Sequence, residues 1–272
     1  MKHFSKKSFA LIPLALLLTA CGRGDITHES TGLWEGGIVY SFIRLIIWLS
    51  DICGGNYGVG IIVFTILVSI LLMPLMHLQY KSMRKMTDLQ PEVEEIKAKY
   101  PFGDRESQIK IQEETQALYK AKGVNTFAGC LPLLAQMPVL MAIYQAVFRS
   151  PVLRVGSFLW MNLGKPDPYF ILPILAGVFT YISTWLSAKS QMQENGMTKA
   201  MQIVMPVMIA LMAINLPSAV SLYWVTRNIF SVGQIMVLNN PYKIIEERQR
   251  QEKIKKDKAR AVRKAWHRKK KK

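Results

Sequence analysis

Residues 125–149 read NTFAGCLPLLAQMPVLMAIYQAVFR, and the placement of this stretch decides how its neighbours are read. From Gly129 to Phe148 there is no charge. At ~1.5 Å per helical residue those positions cover a bilayer core of about 30 Å. The stretch therefore predicts a membrane span. It also carries Pro132, Pro138, Gln136, Tyr144 and Gln145, where a plain anchor would do best with Leu, Ile and Val. An unpaired amide in hydrocarbon costs free energy, so such groups are expected to face other helices or a wet cavity. For Gln136 both roles stay open, glue between helices and lining of a functional cavity.

Working outward, the flanking sequence predicts four more spans. The first, 58–76, has Thr65 and Ser69 on one face as its polar side chains, and Lys81, Arg84 and Lys85 follow it. By the positive-inside rule its C-terminal end lies in the cytoplasm. Residues 77–128 hold charges of both signs and predict a cytoplasmic helical hairpin. One helix starts at Pro91, Pro101 to Asp104 breaks it, and a second runs from Arg105 to Lys122. A solvated linker and a contact surface are its two readings. The quoted stretch then returns outward as span two, 129–148, with an extracellular loop at 149–168. Span three, 169–187, carries a hydroxyl stripe at Thr180, Ser183, Thr184 and Ser187. A cytoplasmic loop at 188–200 leads to span four, 201–216, with Met201, Met205, Met208 and Met212. Span five, 217–238, precedes the last segment.

That segment, 239–272, is basic. It holds 15 Lys and Arg against 4 Asp and Glu, so most of the chain's net charge of +17 sits in one tail. Anionic lipid and ribosomal RNA are both suitable partners for such a tail. At the other end, Lys2, Lys6 and Lys7 precede the apolar run Phe9–Leu18 and the sequence LTAC. This pattern predicts a lipoprotein signal peptide over 1–20, with Cys21 as a lipid-modified N-terminus on the outer face. Within 21–57, the aromatics from Trp34 to Leu49 and the single Arg44 predict an amphipathic helix on the outer surface.

No phosphate-binding glycine loop, nucleophile elbow or paired His and Cys ligands occur, so no enzyme, cofactor or metal chemistry is expected. What remains is a set of half-polar helix faces: Thr65, Ser69, Gln136, Thr180, Ser183, Tyr223, Trp224, Arg227, Asn228, Ser231 and Gln234. They could enclose one wet cavity open to the cytoplasm, or pack against each other in a closed, dry bundle. The fold expected is an all-α polytopic membrane protein.

The quoted motif, with LQPEVEEIKAKY before it and LPSAVSLYWVTRNIFS near the end, resembles the YidC family of membrane protein insertases. The lipoprotein start and five spans are similar to its Gram-positive branch. The resemblance implies a groove open to the cytoplasm and to lipid, closed on the outside, which receives hydrophobic segments of nascent proteins and releases them sideways. It also implies early substrate contact by the hairpin, a meeting of tail and ribosome, and cooperation with the Sec translocon. The sequence departs from the branch where relatives place an arginine in span one, in a pattern like LIRxLxLP. Here the text is LVSILLMP with Ser69 in that place, and Ser183 stands where related sequences often have glutamine. Arg227, inside span five, is the expected substitute for the missing cation. A small transporter or channel is the alternative function, although no repeated half is visible.

Overall fold

The computed structural model describes residues 24–126, 131–191 and 196–270; the predicted signal peptide, Cys21, Gly129 and Cys130 lie outside them. A π-helical turn, Leu33–Val39, runs directly into α1 (Tyr40–Ile52). After a turn, α2 (Tyr57–Leu71) begins at Asn56, whose side chain accepts from Gly58 N at 3.0 Å and Val59 N at 3.3 Å. Such a cap satisfies amides that have no partner inside the helix. α3 (Met73–Asp88) follows at a bend of 52°. Pro74 explains the bend, because it lacks the N–H that would continue the ladder and its ring crowds the preceding turn. Span one, expected to run straight to Met76, therefore breaks at Leu72, and the root of the hairpin is a helical continuation of the span.

The hairpin itself is α4 (Gln90–Ala98) and α5 (Arg105–Ala121), with Asp104 capping α5. Val93, Ile96 and Tyr119 are buried between them. Glu114 joins the two helices by accepting from Tyr100 Oη at 2.6 Å and pairing with Lys99 Nζ at 3.1 Å. α6 (Leu131–Arg149) follows, with Pro138 inside it. A short α7 (Pro151–Val155) and a two-stranded hairpin, β1 (Ser157–Phe158) with β2 (Met161–Asn162), form the connecting loop. α8 (Ile171–Gln191), α9 (Gly196–Ala213) and α10 (Ser218–Leu238) then pack with α8 between the other two. α11 (Pro241–Lys270) is a 30-residue helix formed by the basic tail, for which no helix was expected.

Length and apolarity suffice for crossing a membrane in Leu33–Ile52 and Ile171–Ser190, and in the bent pair α2–α3 taken together; Lys199–Ala213 is a shorter apolar helix. The helix expected along the outer surface is thus also long enough to cross. α10, expected as span five, has 21 residues but misses that apolarity because Thr226, Arg227, Asn228, Ser231 and Gln234 dilute it.

Small residues let the helices approach. At Gly60 an added Cβ would strike Ser50 of α1, and at Gly177 it would meet Ala210 Cβ at 3.0 Å. In lipid, close packing of this kind and interhelical hydrogen bonds hold a bundle together. The core runs through Ile46, Ile61, Phe64, Ile143, Val147, Leu153 and Tyr223. The connecting loop ties one end of the bundle: Asp167 accepts from Leu172 N, Tyr169 N and Trp160 Nε1, while Ser218 N donates to Lys165 O at 2.7 Å. Arg149, which ends α6, is buried and pairs with Glu35 at 2.8 Å, and its Nε donates to Gly24 O at 2.7 Å.

Candidate functional site: a polar face between α2, α6, α8 and α10

α2 and α10 start from the same connecting loop. Gly58 lies against the Phe158 ring, and Ala219 N donates to Leu163 O. Ser69 is twelve residues past Tyr57, and Arg227 is nine past Ser218. At ~1.5 Å per residue the two differ in depth by about 4.5 Å, which a guanidinium side chain spans. α8 shares the same level, because the hydroxyls of Ser183 and Ser231 are hydrogen-bonded at 3.0 Å. Thr180, one turn before Ser183, therefore stands level with Arg227 and Asn228.

Three buried polar atoms on this face have no hydrogen-bond partner among the described residues: Thr180 Oγ1, Arg227 Nη1 and Gln234 Nε2. Leaving such a group unsatisfied costs about 1–3 kcal/mol each, and more for a charged one. The Arg227 guanidinium sits within electrostatic reach of two phenols, Tyr223 and Tyr80. Tyr223 is itself buried and accepts a hydrogen bond from Gln136 Nε2. One level of the bundle thus gathers a cation, two phenols, an amide and a free hydroxyl.

The other expected members behave differently. Thr65 and Ser69 are buried on α2, yet their hydroxyls donate within their own helix, to Ile61 O and Thr65 O, each at 2.6 Å. Asn228 donates to Trp224 O at 2.9 Å, and the Trp224 ring packs at the edge of the core. Gln145, singled out beside Gln136, accepts from Trp34 Nε1 at 3.0 Å and joins α6 to the π-helical turn. A shallow apolar depression at the bend, lined by Ile70, Met73, Pro74, His77 and Leu78, holds none of the expected groove residues.

Tyr80 was missed because it lies beyond the expected end of span one, in text that reads as cytoplasmic. The signal that points to it is Pro74, which carries the helix round a bend. Asn239 was missed for a similar reason, at the boundary between span and tail. Its side chain accepts from Arg84 Nε at 2.8 Å and donates to Ser190 Oγ at 2.7 Å, joining three helices at one end of the bundle.

Residues 48–247 match the family model described as 60Kd inner membrane protein. The chain belongs to this family. It is 49% identical over 261 residues to the membrane protein insertase YidC of Enterococcus faecalis (strain ATCC 700802 / V583), covering 96% of this chain and 94% of that one. It is 51% identical over 254 residues to the protein of the same name from Pediococcus pentosaceus, covering 92% and 91%. Membrane protein insertase YidC 1 of Lactococcus lactis is 49% identical over 264 residues, covering 96% and 97%. Among solved structures, an active YidC insertase crystal structure with its first transmembrane domain resolved superposes with a TM-score of 0.59 at 29% identity. It covers 84% of this chain, which spans half the length of the solved one. Relatives of nearly full length are named insertases, and the transporter or channel reading is dropped.

Proposed function

We infer that this chain is a membrane protein insertase, which receives hydrophobic segments of nascent membrane proteins and passes them into the bilayer. The observation that carries a groove rather than a dry bundle is the set of buried polar atoms at Thr180, Arg227 and Gln234. A closed packing leaves all three unsatisfied, whereas water or a polar substrate tail satisfies them. Polar groups inside the bilayer also shorten the hydrocarbon barrier that such a tail crosses, so insertion proceeds without nucleotide hydrolysis.

In this reading α2, α6, α8, α9 and α10 are five spans, α1 lies along the outer surface, and the groove opens to the cytoplasm. Gln136, Tyr223, Thr180, Ser183, Ser231 and Gln234 line it, with Thr65, Ser69, Trp224 and Asn228 at its edges. Arg227 is its cation, and it attracts acidic residues of the incoming tail. Support comes from its neighbours, which are phenols rather than a neutralising carboxylate. Residue Cys21 is the lipid-modified N-terminus outside. Gly24, only three residues later, is hydrogen-bonded to Arg149 at the end of α6 that this orientation puts outside. The tail helix meets ribosomal RNA, and the Sec translocon is a further partner.

Purified protein in lipid vesicles tests this reading. Insertion of a short single-span protein with an acidic tail, without added nucleotide, is the expected result. Flux of small solutes without insertion of that protein would overturn it.

A further inference from the structure

The long helix α11 divides sharply by burial. Its first two turns are held: Ile244 is buried, Tyr242 and Trp185 take the Lys189 ammonium over their rings at 4.3 and 4.8 Å, and Arg248 Nη2 pairs with Asp88 Oδ1 at 2.9 Å. From Gln249 onward every described side chain is exposed. That outer part carries eleven Lys and Arg against two acidic residues through Lys270, and at ~1.5 Å per residue it is an arm of about 33 Å.

Two ties of different strength hold the arm's base. Asn239 has φ −142° and ψ 46°, which separates α11 from α10, and its buried amide is bonded to both Arg84 of α3 and Ser190 of α8. Arg84 also donates to Leu238 O at 3.3 Å. Both polar atoms of that side chain are hydrogen-bonded, the bond to Ser190 fully buried and the bond to Arg84 partly so, and this tie persists. The Arg248–Asp88 pair is different, because the Asp88 side chain is 65% exposed. An exposed pair of this type is weak and yields to competing anions. Asp88 is the last residue of α3, and α4 of the hairpin begins two residues later.

We propose that the Arg248–Asp88 pair is a release latch: phosphates of an RNA bound along the arm take Arg248 from Asp88, and the last turn of α3, beyond the persisting Arg84–Asn239 tie, is freed at the hairpin root. The hairpin is held to the bundle mainly through α3, so loss of the latch loosens α4 and α5 over the cytoplasmic mouth. Occupancy of the arm thereby prepares the hairpin to receive a nascent segment. The inference rests on the reading that the tail meets RNA, and it adds where that contact is felt.

Hydrogen exchange on the full chain in nanodiscs, with and without a short RNA duplex, tests the latch. RNA is expected to raise exchange across Gln90–Ala121 in the native protein. Asp88→Asn, at an exposed position, is expected to show the raised exchange without RNA and no further rise with it, while Asp88→Glu keeps the native response. RNA that binds in a salt-dependent manner and leaves hairpin exchange unchanged overturns the latch but spares the tail reading. An RNA response in Asp88→Asn equal to the native one overturns the latch as well. Absence of RNA binding, with the arm bound instead to anionic vesicles, overturns both.

Discussion

In the proposed topology Arg227 sits inside a span, where a charge costs roughly 2.5–3.5 kcal/mol on insertion scales, and among the described residues the groups that act on it are phenols. Replacing it with Ala is expected to stabilise the bundle slightly and to reduce insertion of an acidic-tailed substrate, with little change for a neutral tail. The double change Ser69→Arg with Arg227→Ala is expected to restore the loss, since Ser69 is buried on the neighbouring helix at nearly the same depth. Full activity of the single variant on acidic tails would sink the assignment. The sequence made Arg227 and Gln136 legible because a charge and an amide stand out against apolar text. It could not say how hydroxyls are spent. Thr65, Ser69, Thr184 and Thr226 each donate to a carbonyl four residues earlier, so a polar stripe at helical spacing is partly consumed by its own backbone. Thr180 is a buried hydroxyl of the proposed groove without a partner among the described residues.

Among the elements, the hairpin is the part whose stability depends most plainly on pH. The Tyr100 hydroxyl, and next the Lys99 ammonium, hold the Glu114 carboxyl below the ordinary glutamate value. A lowered carboxylate contributes stability that is present above its unfolded pKa and is lost as pH falls through its folded one. Acidification below about pH 4.5 is therefore expected to raise hydrogen exchange in α4 and α5 before the spans respond. Glu114→Gln should show raised exchange already at neutral pH and lose that acid step; an unchanged acid profile in this variant would count against the pair. The limits of the hairpin were readable because punctuation is local: Pro91, the Pro101–Asp104 break and Gly123 each act within one turn. The break at Leu72 was harder to place, since Pro74 can end a helix or bend it, and tertiary packing decides which. The helicity of the tail was unreadable for another reason. Its solvent-exposed face offers no hydrophobic period, and the helix is set by its base against α8 and by propensity.

At the scale of the whole molecule, the two ends of the described chain are held very differently. The N-terminal end is fastened at residues 24–26, where Arg149 and Arg154 take Gly24 O and Asp25 and where Ile26 is buried. Cys21→Ala is expected to leave an unprocessed precursor that takes no fatty-acid label in metabolic labelling; undiminished label would refute the lipid anchor. Beyond its first turns the other end buries no described side chain, so deleting Lys255–Lys272 should leave the thermal unfolding of the membrane part unchanged. The deletion removes eleven cations and one carboxylate. Each cation that neutralises a phosphate steepens the fall of log affinity with log salt by about 0.7–0.9. If roughly half of the eleven touch RNA phosphates, the slope for ribosome binding drops by about 4–5 in the truncated protein, and co-sedimentation at low and high salt reads that difference. Affinity should fall most at low salt, where released counterions contribute most, and the two proteins should converge as salt rises. Binding that is equal with and without the tail at both salt levels would remove RNA as its partner, and the basic arm would then be left to the anionic surface of the membrane from which it projects.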